Sequence, residues 1–416
     1  MLRRFALTAA ALVLATCASA PVEREAAFAP FGLLAFGDHG YHMDYFTQED
    51  LDEAPRTPEA FIEEERADWI EDRRPPAEFT SSPMYRLANG GYVPASGMMP
   101  VAQAMRAYCV EAACDSAVML GDNIYPDGAT VGADGRDDAQ RFQDIFAAPY
   151  GAFGDLAENF RIYVALGNHD WRTSREGAMA QVAYMERTPP FYMDGLIYSV
   201  HPQGREDIEI FVIDTEVLLA GDTVYEDVLA EDASEIESTV VEAPKPWTRP
   251  QTELERNMVA WLDERLRAST ARWRIVIGHH PLWSSAGSKF QQARTLRRLL
   301  LPTLCRNADM YLAGHEHTLE VHTDSCAGVE AGLAPLPAIV SGAAAKQRPL
   351  NTAFMAHQLR NHPELRTLWA EGMIWGFAHL EFDADEARVD MLTTPDEGTG
   401  EPVSAFSVSF PRRSGM

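Results

Sequence analysis

The chain is poor in positive charge, in cysteine and in long apolar runs, and it carries neither basic clusters nor internal repeats. Its 35 Lys and Arg stand against 62 Asp and Glu, a formal net charge of −27. That balance argues against nucleic acid as a partner, because phosphate backbones are bound through surpluses of Lys and Arg. Only 5 cysteines are present and none lies in a CxxC motif, which argues against a cysteine-held metal. The apolar run Phe5–Ala15 is too short to span a bilayer.

That run follows Arg3-Arg4, and the two together read as a targeting segment over residues 1–20. Leu14-Ala15-Thr16-Cys17 resembles a bacterial lipoprotein signal, with Cys17 as the lipid anchor; Ala18-Ser19-Ala20 offers ordinary signal-peptide cleavage instead. The arginine pair also permits a twin-arginine export signal. Each reading exports the protein, to the bacterial periplasm, to a membrane as a lipoprotein, or to the medium. In an oxidising compartment, Cys109, Cys114, Cys305 and Cys326 allow three pairings or free buried thiols. Pairing neighbours in sequence gives Cys109–Cys114 and Cys305–Cys326.

With 416 residues, 46% of them hydrophobic, the chain is long enough to bury one large core. Residues 28–416 are expected to form a single α/β domain with acidic insertions at about 41–95 and 218–250. Gln48–Pro75 holds eleven acidic and four basic residues, and Asp222–Pro246 eight acids and one lysine. Both read as solvated surface. Thr57-Pro58 looks like a helix start, with Phe61, Trp69 and Ile70 as its apolar edge. Further helices are expected near Pro100–Cys109 and over Gln251–Ser269, the latter with Leu254, Met258, Trp261, Leu262 and Leu266 on one face. Phe377–Phe382 and Ala387–Leu392 read as a closing hairpin.

Five short apolar runs end in a glycine followed by a side chain of metal-ligand type: Gly37-Asp38, Gly121-Asp122-Asn123-Ile124-Tyr125, Gly167-Asn168-His169-Asp170, Gly278-His279-His280 and Gly314-His315-Glu316-His317. The runs Phe31–Phe36, Ser116–Leu120, Phe160–Leu166, Arg274–Ile277 and Met310–Ala313 read as buried strands, with Ile208–Ile213 and Pro337–Val340 as two more. Open α/β sheets place ligands at the carboxyl ends of such strands. Asp38, Asp122, Tyr125, Asn168, His279, His315 and His317 exceed the four ligands of a structural zinc site. They suit two metals sharing one carboxylate, an arrangement that clamps attacking and leaving oxygens in phosphoryl transfer.

The order of these motifs, together with Phe211-Val212-Ile213-Asp214-Thr215, Gly278 to Ser284 and Ser341-Gly342-Ala343, resembles the purple acid phosphatases, and within them the tartrate-resistant small type. The resemblance implies the calcineurin-like metallophosphoesterase sandwich of two mixed β-sheets flanked by helices. It also implies an acid phosphatase that hydrolyses small phosphate monoesters by in-line attack of a metal-bound hydroxide. By position, Asp38, Asp122, Tyr125 and His317 would hold Fe(III), and Asn168, His279 and His315 a divalent Fe, Zn or Mn, with Asp122 bridging. Gly40 and Tyr125 separate the chain from relatives that have a histidine at the first position and no tyrosine at the second. His169 is implied as the catalytic group that stabilises charge or protonates the leaving oxygen, with Asp170 orienting it. Ser288 stands where the small type has a histidine; His280, His39 and His42 are near enough in sequence to substitute, or are bystanders. A phosphodiesterase or nucleotide pyrophosphatase using the same site, and a non-catalytic metal- or phosphate-binding surface protein, are the competing readings. Oligomeric state is left open.

Overall fold

The computed structural model describes residues 28–132, 137–202, 204–222, 224–225, 241–242, 246–287, 290–395 and 401–413. The targeting segment, most of the second acidic insertion, and Ser288 with Lys289 therefore lie outside the described residues.

Two seven-stranded mixed sheets form the body. In the first, Phe31–Phe36, Ser116–Leu120, Ile162–Ala165 and Phe191–Tyr192 run parallel. The antiparallel strands Trp375–Phe382, Glu386–Thr394 and Val403–Pro411 extend it from the other side of Phe31–Phe36. In the second, Ile208–Val212, Trp273–Ile277, Met310–Ala313 and Leu336–Ser341 are parallel. Tyr198–Val200 lies antiparallel at one edge, and Leu319–Asp324 and Leu365–Glu371 at the other. The central strands are apolar along their length because both faces are covered, and side chains from both sheets belong to one continuous core. Met98–Tyr108 packs on the first sheet, while Met258–Ala268 packs on Phe290–Asn307 beside the second. No described helix is long and apolar enough to cross a membrane.

Cys109–Cys114 and Cys305–Cys326 are both bonded, so neighbours in sequence do pair. The helix expected over Gln251–Ser269 is two pieces, Glu253–Arg256 and Met258–Ala268, broken at Asn257. In the first piece Glu255 turns inward to Arg175 at 2.5 Å and accepts from the Gln251 N–H, and Leu254 is 40% exposed. Thr57 does cap the helix Pro58–Glu71, which buries Phe61 and Trp69. Ile70 is 54% exposed, while the neighbouring Trp69 is buried and its indole donates to the Pro75 carbonyl.

Candidate metal centre

Each of the five glycine motifs sits just past the carboxyl end of a parallel strand, three from the first sheet and two from the second. The two sets of loops are tied across the gap. The His315 N–H donates to Asp38 Oδ2 at 2.7 Å, and His279 Nδ1 lies 2.8 Å from the Leu120 carbonyl, to which it donates. Asp38, Asp122 and His315 all occupy the left-handed region, with φ of 57°, 52° and 72°. Such backbone costs of order 1–3 kcal/mol per residue and persists where the surroundings over-determine it. Here sharp reversals at the strand ends turn all three side chains to one point. Two of the preceding glycines are required sterically. A Cβ on Gly121 would lie 2.6 Å from His279 Nδ1, and one on Gly314 would lie 2.6 Å from Asp38 Oδ2.

The seven predicted ligand residues converge in two donor groups. In one, His279 Nε2 is 3.1 Å from Asn168 Oδ1, 3.1 Å from His315 Nδ1 and 3.3 Å from Asp122 Oδ1, and His315 Nδ1 is 3.0 Å from Asn168 Oδ1. In the other, Tyr125 Oη is 2.7 Å from Asp122 Oδ2, 2.9 Å from Asp38 Oδ1 and 3.2 Å from His317 Nε2. Asp122 thus turns one oxygen to each group.

The chemistry of this donor set fits metal ions. A phenol has one proton, yet two carboxylates and an imidazole crowd Tyr125 Oη, so hydrogen bonding alone cannot satisfy all three. Burial, with the charges of Asp122 and Asp38 added, holds its pKa well above the ordinary value. Burial and the neighbouring Asp122 charge also push Asp38 up to about 7, despite His279. Burial alone would raise Asp122 too, but His279, His169 and His315 hold it well below the carboxylate range. Burial opposes a charge on His279, whose pKa the two carboxylates nevertheless raise to about 10. The cluster demands positive charge, and its donor spacings are close to those of ligands around ions with bonds of ~2.0–2.2 Å.

His169 is not among the donors. Its N–H donates to Asp122 Oδ1 at 2.8 Å, and its ring Nδ1 lies 2.5 Å from the Pro126 carbonyl. That fixes the tautomer and leaves Nε2 facing the centre, 3.9 Å from Asp122 Oδ2. Burial lowers its pKa to about 3, against the pull of Asp122. Asp170 does not orient this ring. It accepts instead from the N–H groups of Gly167, Asn123 and Ile124 and from the Asn123 side chain, knitting the second and third motifs together. Asp214 caps the helix Thr215–Ala220 and accepts from the Trp171 indole.

A cavity of about 440 Å³ opens over Tyr125 and His169. Arg172 and Lys346 line it on the body's side, and Tyr41, Phe46, Phe61, Glu64 and Asp68 on the side of the first acidic insertion. That insertion is therefore a wall of the site as well as a solvated face. Sequence motifs had not pointed to Lys346, or to Arg348, which pairs with the buried Glu316 at 2.5 Å between His315 and His317. The only signal was their position shortly after Ser341-Gly342-Ala343.

The profile of the calcineurin-like phosphoesterases matches residues 102–319, and the chain belongs to that family of metal-dependent phosphoric ester hydrolases. Its curated relatives include tartrate-resistant and purple acid phosphatases. Tartrate-resistant acid phosphatase type 5 of Sus scrofa is 29% identical over 308 residues, 72% of this chain and 76% of that protein. Among solved structures, GAP50, the anchor in the inner membrane complex of Plasmodium, aligns with a TM-score of 0.54 at 14% identity, covering 92% of this chain and 90% of that one. The purple acid phosphatase PPD1 of yellow lupin seeds aligns at 0.50 and 16%, covering 92% and 54%. At these identities the two structures speak for the fold alone.

Proposed function

We propose that this phosphoesterase is an exported dinuclear-metal acid phosphatase acting on small phosphate monoesters. The observation that carries the reading is the division of the Asp122 carboxylate between two donor groups. Asp38, Asp122, Tyr125 and His317 would hold Fe(III), since a hard phenolate favours the trivalent ion. Asn168, His279 and His315, sharing Asp122, would hold a divalent Fe, Zn or Mn. Bound there, such a pair neutralises phosphoryl charge and acidifies water. Export is supported by the N-terminal targeting segment and the two disulfides. Metal analysis with a panel of mono- and diesters, run on one purified sample, tests the whole reading. Two metals per chain and a preference for monoesters are expected; one metal, or turnover of diesters alone, overturns it.

His169 is the group placed to serve the leaving oxygen. Its Nδ1–H is committed to Pro126, so only Nε2 can carry a proton to substrate. Burial disfavours that proton, and an incoming phosphate dianion would favour it. His169→Ala is expected to leave metal content unchanged and to lower kcat on the order of 10²-fold. The loss should be smaller for a nitrophenyl ester, whose leaving group needs no proton. Equal losses for alkyl and aryl esters would remove the proton-donor role.

A further inference from the structure

Among the described residues, Lys346 has no ion-pair partner. It lies five residues beyond the strand Leu336–Ser341. Its Nζ sits 4.8 Å from the ring centre of Tyr125 and 4.9 Å from that of Tyr41, on the wall of the cavity that holds His169. An ammonium group carries three donors. Two aromatic faces balance part of its charge but leave those donors unused. Among the described residues no carboxylate pairs with it, although the insertion lines the same cavity with acids.

The other polar groups near the centre are already committed. Arg348 is bound to Glu316, and Arg172 is exposed, with one nitrogen 3.4 Å from the Pro126 carbonyl. Beside His169, the three histidines nearest the motifs in sequence, His39, His42 and His280, do not line the cavity. His39 is buried among Phe36, Phe146 and Tyr150, His280 is bonded to Thr215, and His42 is engaged with Asp44.

The geometry points to Lys346 as a phosphate-binding residue that selects terminal monoester phosphates over diesters. The inference rests on the site reading above and deepens it. Above its second pKa of about 6 a monoester phosphate carries ~1.5–2 negative charges and a diester one, so at pH 7, where the test is run, a fixed ammonium attracts the first more strongly. Lys346 supplies binding and charge stabilisation, and it requires no proton transfer.

The test uses the metal-loaded full chain, with Lys346→Met to remove the charge at similar length and Lys346→Arg to restore it. Read-outs are inhibition by inorganic phosphate, the kcat/KM ratio of nitrophenyl phosphate to bis-nitrophenyl phosphate, metals per chain and melting temperature. Lys346→Met should weaken phosphate inhibition on the order of 10-fold, as expected for losing one charged hydrogen bond, and should lower the monoester-to-diester ratio by a similar factor. Metal content should not change, and Lys346→Arg should keep most of both properties. An unchanged inhibition constant and ratio overturns the proposal, as does an equal loss for the two esters or a loss of metal. If the wild type turns over neither ester, calorimetric titration with inorganic phosphate still decides. Weaker binding by Lys346→Met then supports Lys346 while the hydrolytic reading fails, and equal binding removes Lys346 as well.

Discussion

Asp122→Ala is expected to strip the protein of both metals and to reduce turnover beyond the ~10²–10³-fold that loss of a single preorganised charge-stabilising donor costs. Both donor groups depend on this side chain, Oδ1 facing His279 and Oδ2 facing Tyr125. Changes to groups that only support metal ligands cost ~10–100-fold in metal affinity, and a carboxylate common to two coordination spheres should cost more. Asn168→Ala touches one group only and should weaken one metal. Alanine also tolerates the φ of 52° at position 122 less well than aspartate does. Asp122→Asn is therefore the cleaner companion, since it keeps a residue suited to that backbone while removing the charge. It too should bind less than two metals. Metal counts on the three variants, read beside circular dichroism to establish folding, decide the matter. Two metals per chain in both Asp122 variants would break the ligand assignment.

Much of this site was legible because it is built from strand ends. A buried parallel strand must be apolar throughout, and its end is marked by the glycine that lets the chain turn beside a crowded centre. Phe31–Phe36, Ser116–Leu120 and Met310–Ala313 run over the residues their sequences suggest. Leu319–Asp324 escaped notice because its polar residues are buried. Glu320 and His322 lie fully inside and satisfy each other at 2.6 Å, with Thr318 and the Ser285 N–H completing the set. The alternation Leu319-Glu320-Val321-His322 suggests a strand with one solvated face, whereas here the polar face is buried as well. The left-handed backbone at Asp38, Asp122 and His315 is likewise a property of the assembled loops, as nothing in an aspartate or histidine demands it.

Long-range placement was the other gap. Lys346 lies in no ligand motif, and its setting arises because Tyr41, some 300 positions earlier, returns to the cavity beside Tyr125. The charge of the first insertion was plain in the sequence, whereas the direction its helix faces was not. Pro58–Glu71 buries Phe61 and Trp69, and Glu64 and Asp68 on the same helix look into the cavity. Burial raises the Glu64 pKa, with the neighbouring charges of Asp68, Glu53 and Glu65 adding to the effect.

Tyr125→Phe should turn a purple or pink oxidised protein colourless, because phenolate-to-iron(III) charge transfer absorbs visible light and a phenyl ring has no oxygen to donate. Packing should survive. The ring sits 4.2 Å from that of His169 and 6.3 Å from that of Tyr41, contacts that phenylalanine keeps. The missing oxygen relieves the crowding of Asp38, Asp122 and His317 around one phenol. It also removes the hard anionic donor that favours the trivalent state. Iron should then be lost or held as the divalent ion, and the pH optimum should move upward, since a divalent ion acidifies water less. Absorption spectra, iron content and a pH–rate profile measured on one preparation separate the possibilities. Zinc or manganese in place of iron would leave the wild type colourless and the variant's spectrum unchanged. A colourless wild type that is loaded with iron(III) and active would mean that Tyr125 does not ligate, which would return the second donor group to a carboxylate and histidine site without a phenolate.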